Sequence, residues 1–178
     1  MTNQPTILVI LAMITQTIIL TKAPLQAQRF YSVEEALEEI EYQSDDVSAQ
    51  ALRGDKLLTE LRQTSEDGDF RNQGKLLKKL HAHLQVIEDE AYAVERYLDD
   101  AVTLDSRIRV DRLRESASQI MTQAQFADMA LRDVATALHE GEQPKAQQFL
   151  RETSLALAAI RMFARATGEE ARELRRGR

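Results

Sequence analysis

From Ser32 to the end of the chain, apolar residues recur every three or four positions, the repeat of one face of an α-helix. The cleanest run is Leu77, Leu80, Leu84, Ile87, Ala91, Val94, Leu98 and Ala101. This is a heptad seam of the kind found between helices packed nearly parallel or antiparallel. Before it comes a first stripe of Val33, Leu37, Ile40, Val47, Ala51, Leu58 and Leu61, with Ser44 and Gly54 as weak members. Glycine in a helix interior costs about 1 kcal/mol against alanine, so a kink is expected at Gly54. Continuing the second stripe would bury Asp105 and Arg112, and a third starts in its own register: Val110, Leu113, Ala117, Ile120, Ala124, Ala127, Leu131, Val134, Leu138. The fourth carries Phe149, Thr153, Ala156, Ile160, Phe163, Thr167 and Leu174, widened by Leu150, Leu157 and Ala164.

The punctuation agrees with four helices. Ser32 and Glu35 have the spacing of a capping box, and Tyr31 is placed to staple the first turn. TSEDGD at 64–69 ends the first helix. Gly141 suits the left-handed position after the third, and Pro144 the first turn of the fourth. The joint VTLDSRIRV at 102–110 has neither Gly nor Pro. Asp105 or Ser106 is a candidate cap there. A break gives a compact molecule, whereas a continuous helix would lay two hairpins end to end and require a partner chain. The phase change favours the break. Segments 68–87 and 141–160 align weakly, as two αα-hairpins obeying the same turn and core rules would. The predicted fold is all-α: an up-down-up-down antiparallel four-helix bundle built from two αα-hairpins.

Upstream of this pattern, residues 7–20 read ILVILAMITQTIIL, interrupted only by Thr15, Gln16 and Thr17. Pro24 and the small Ala27 follow. Apolar stretch, helix breaker and small residue are in the order of a secretory signal, although MTNQP lacks the usual positive charge. A membrane-crossing helix needs about 20 apolar residues. The expectation is a signal peptide over 1–27, cut after Ala27, or else an N-terminal anchor, with one helical domain over 28–178. An uncleaved N-terminus would be the only membrane contact, and the expected location is the periplasm or the exterior.

Composition narrows the chemistry. Of 23 basic residues only Lys22 precedes residue 28, leaving 22 against 29 acidic side chains and a net charge of −7. That balance disfavours nucleic acid as a partner. The absence of cysteine removes disulfides, thiolate nucleophiles and thiolate-bound metals. No nucleophile–base spacing, phosphate loop or metal-ligand motif is recognisable, so no catalytic, cofactor or metal site is expected. His81 and His83 lie two apart and point in different directions on a helix. His139 sits where a helix C-terminus favours a cation.

One charged feature stands out: Glu34, Glu35, Glu38, Glu39, Glu41, Asp45 and Asp46, uninterrupted by any base. It is either a partner-binding acidic face or the counterpart of Arg172, Arg175, Arg176 and Arg178, which an up-down bundle brings to the same end. The functional expectation is a non-enzymatic envelope or secreted protein acting through protein contacts, as an accessory, adaptor or chaperone-like factor. Self-association is an open form of such contact. The alternative is a carrier or sensor holding a small molecule where Ala91, Ala117, Ala124 and Ala127 thin the seams.

Overall fold

The computed structural model describes residues 30–177, so the expected export segment and Arg178 lie outside the described residues. Four helices follow in order: α1 (Val33–Asp67), α2 (Phe70–Leu104), α3 (Asp111–Glu140) and α4 (Gln143–Arg176). They form the antiparallel up-down-up-down bundle the stripes predict. Each helix packs on two neighbours, α1 on α2 and α4, α3 on α2 and α4, closing a ring around the core.

Helix ends follow local chemistry. Ser32 Oγ accepts from the Glu35 amide at 3.1 Å, and the Tyr31 amide donates to Glu35 Oε2 at 2.9 Å. The capping box is therefore present, its carboxylate reaching one residue further back than Ser32. Tyr31 does not form a staple, being 91% exposed. Phe30 turns inward instead and meets Tyr97 edge-on, ring centres 5.0 Å apart. Gly68 and Gly141 end α1 and α3 at φ 72° and 76°, the left-handed region that glycine enters without a steric penalty. These two glycines hold equivalent places in the aligned segments, as do the buried pairs Leu84/Leu157 and Ile87/Ile160. Pro144 lies in the first turn of α4.

The joint between α2 and α3 is a true break over residues 105–110. Its capping differs from expectation. Asp105 ends α2, and its carboxylate accepts from the Arg107 amide at 2.9 Å. Neither Asp105 nor Ser106 starts α3; Val110 occupies that position without a side-chain cap. Val110 is buried, so the entry to α3 is fixed by packing.

The core residues lie on the predicted stripes with small phase differences. Leu76 is buried and Leu77 only partly so. In α4 the fully buried line runs through Leu150, Leu157, Ile160 and Ala164, with Phe149 and Phe163 at its edge. Ala91, Ala117, Ala124 and Ala127 are at most 2% exposed. They are closed in by the surrounding core.

Helix α1 runs through Gly54 without interruption. The reason for a glycine there is proximity: a Cβ would stand 3.3 Å from both methyls of Leu157 on α4. Gly168 makes the reciprocal approach, with Ser44 Cβ 3.5 Å from where its own Cβ would be. The core divides into two apolar clusters near this level. Ser44 and Thr167 are buried there, and their hydroxyls donate back to the carbonyls of Ile40 at 2.7 Å and Phe163 at 2.8 Å. A polar group taken out of water needs such a partner.

Candidate functional site

The seven carboxylates singled out from the sequence do not act as one surface. Glu41 and Glu38 turn toward α4. Arg172 Nε donates to Glu41 Oε1 at 2.7 Å, and Arg175 Nη2 lies 3.0 Å from Glu41 Oε2. Arg175 Nη1 reaches Glu38 at 3.5 Å. Glu35 belongs to the cap, and Glu39 accepts from Gln43 Nε2 at 3.1 Å. Glu34 and Asp45 are exposed, with no ion pair among the described residues. Asp46 leaves the group altogether and faces α2. The charges at this end of the bundle thus neutralise each other within the molecule through Glu38 and Glu41, and Arg175, in the last turn of α4, is also favoured by that helix's dipole.

Asp46 instead belongs to a polar seam between α1 and α2. It lies beside Glu90, whose Oε2 is buried and, as an ionised oxygen, has no hydrogen-bond donor. Two carboxyls in contact cannot both be ionised cheaply. Burial, then hydrogen bonding and repulsion from Asp46, then repulsion from Asp89, push Glu90 up to about 9, with Arg53 opposing. Glu90 is therefore protonated at neutral pH and can donate to Asp46. Further along the same seam, His83 Nδ1 meets Gln50 Oε1 at 2.8 Å. Burial first and the Arg53 charge second lower His83, so it remains neutral.

His81 faces the opposite flank, where its ring meets Asp128 on α3, which also binds Arg132 at 2.7 Å. Burial resists ionisation of Asp128, but hydrogen bonds and charge from His81 and Arg132 outweigh it and hold the carboxyl below its ordinary range. The two histidines join different helix pairs, as their spacing requires. His139 is exposed at the end of α3. Among the described residues no group of three or more His, Cys, Asp or Glu side chains could hold a metal ion, and no helix is long and apolar enough to cross a membrane.

The outer face of α4 carries a second line of residues that the buried seam does not include. Arg151, Leu155, Ala158, Met162, Arg165 and Glu169 alternate at steps of four and three, and every one is exposed. Leu155 is 71% and Met162 59% exposed. A shallow depression runs along this line, bounded by Arg161, Ala166 and Glu169. On α3, Phe126 and Met129 are exposed as well, at 47% and 64%. The sequence did hold the signal: Leu155 and Met162 are large apolar residues left over once the inner stripe of α4 is complete. Comparison with protein-family models, with curated proteins and with solved structures found no match to this chain.

Proposed function

We propose that the chain is an exported, non-enzymatic helical bundle that works through protein–protein contacts, as an accessory, adaptor or chaperone-like factor of the cell envelope or exterior. The observation that carries this reading is the second, outward seam of α4. The inner faces of all four helices are satisfied within the ring, yet Leu155 and Met162 remain on a regular line in water. Isolated exposed apolar residues are ordinary, whereas a periodic apolar line is the form in which one helix meets another. The acidic start of α1 contributes less, since Glu38 and Glu41 already have arginine partners. A carrier of small apolar molecules gains no support from the closed packing of Ala91, Ala117, Ala124 and Ala127.

Export rests on residues 1–27. The test is the intact mass of the protein from its native host, fraction by fraction, with cross-linking in the same cells. A species lacking residues 1–27 outside the cytoplasm, cross-linked to protein through α4, is the expected result. Full-length chain in the cytosol would remove the export claim, and the absence of any protein adduct would remove the contact claim.

A further inference from the structure

We propose that the outer face of α4 is the interface of an antiparallel homodimer, formed by the same face of a second copy. The inference rests on the protein-contact reading and names its partner. The exposed line contains its own complement. Consider two α4 helices running antiparallel about a two-fold axis at the level of Ile160. Met162 of each copy then lies over Ala158 of the other, a large side chain on a small one. Leu155 lies over the aliphatic stem of Arg165, whose guanidinium stays in water. At both ends Arg151 stands opposite Glu169. All six positions are exposed, so no rearrangement of the bundle is needed.

The parallel arrangement fails on charge. It would stack Arg151 on Arg151, Arg165 on Arg165 and Glu169 on Glu169, three like-charge layers on one interface. Antiparallel pairing converts two of these layers into Arg–Glu pairs. Among the described residues Arg151, Arg165 and Glu169 make no ion pair, which leaves all three available. Arg161 is the one like-charge approach near the axis, on the flank toward α1, and its stem can turn the charge into solvent. Ala158, Ala159 and Ala166 let the helix backbones come close. Self-complementarity about an axis is the requirement of an isologous interface, and the inversion of charge from Arg151 to Glu169 meets it. The stretch from Arg151 to Glu169 covers about 27 Å of helix.

The test is sedimentation of the full chain together with Leu155→Arg, Arg151→Glu, Glu169→Arg and the double variant Arg151→Glu/Glu169→Arg. The native chain is expected to be dimeric and Leu155→Arg monomeric, since the new charge meets Arg165 of the other copy, with helix content unchanged because the side chain is exposed. Each single reversal should weaken the dimer about three- to thirtyfold, since it touches two symmetric pairs, and the double reversal should restore it. The chain has no cysteine. Mixing an Ala158→Cys chain with a Met162→Cys chain should therefore give a disulfide-linked pair more readily than either chain alone. A monomeric native chain, or self-association indifferent to Leu155→Arg, would overturn the proposal. So would a double reversal that is no better than the single ones. A monomer whose position 155 still cross-links to a different envelope protein overturns the homodimer while leaving the protein-contact function standing. A monomer without any protein adduct removes both.

Discussion

Glu90 shows how far a single side chain departs from what its position in the sequence suggests. It lies beside the second stripe, between Ile87 and Ala91, and spacing alone could not say that its flank meets Asp46. With Glu90 raised to about 9 from 4.5, the folded protein holds this proton more tightly than the unfolded chain. The stability it contributes is full below the unfolded value and is lost as pH rises toward 9. His83 acts in the opposite sense: lowered in the fold, it contributes stability above its unfolded value, 6.5, which is lost as pH falls. The α1–α2 seam therefore resists both extremes least. Replacing Glu90 by Gln should leave the melting temperature nearly unchanged at pH 4 and raise it above native at pH 9, read by thermal unfolding across that range. Equal pH profiles for the two proteins would show that Glu90 ionises normally. Gly168 and Gly54 give a second residue-scale comparison. Alanine at Gly168 makes only an ordinary contact, 3.5 Å from Ser44 Cβ, so the helix-propensity gain of about 0.5–1 kcal/mol should appear in full. At Gly54 the new methyl meets Leu157 at 3.3 Å, and the gain should be smaller or reversed.

Helices are where the sequence was most informative, and their ends show why it was not complete. The stops at Gly68 and Gly141 were legible because left-handed backbone favours one residue type. The α2–α3 joint has no such residue. Its break could be read only from the loss of phase, and its caps not at all, because Val110 is held by burial. The Leu76–Leu77 difference has the same origin: two adjacent leucines fit the stripe, and only the neighbouring helices choose between them. Capping predicts measurable asymmetry. Ser32→Ala should cost about 1 kcal/mol in chemical denaturation, because the Glu35 amide loses its acceptor at the start of a long helix. The acidic segment should divide in the same experiment. Glu41→Ala leaves two arginines without their shared partner and should destabilise by about 1 kcal/mol, more than a lone surface pair because the three charges form a network. Glu34→Ala loses only a favourable place in the first turn of α1 and should cost less, about 0.3 kcal/mol. Equal effects would return the segment to a single undifferentiated acidic face.

On the scale of the whole molecule, two hairpins are held together chiefly along α1 and α4. That interface has both close glycine approaches, the Asp55–Ser154 hydrogen bond at 3.0 Å, the Ser65–Gln143 bond at 3.0 Å and the Arg172–Glu41 pair. Helices α2 and α3 pack on each other less extensively, through His81–Asp128 and the more exposed Gln125–Glu88 and Arg114–Asp99 contacts. The covalent joint at 105–110 thus closes the side of the ring that packing closes least. Doubling its length adds only loop entropy, about 0.6 kcal/mol, if α1 and α4 already hold the hairpins in place. Leu157→Ala should cost far more, about 2–5 kcal/mol, because Leu157 fills the space that Gly54 leaves open. Calorimetry separates the two views of the molecule. With the lengthened joint, one cooperative transition at a slightly lower temperature is expected, since unfolding either hairpin strips the α1–α4 interface from the other. Two transitions would mean that the joint, rather than that interface, makes the hairpins fold as one.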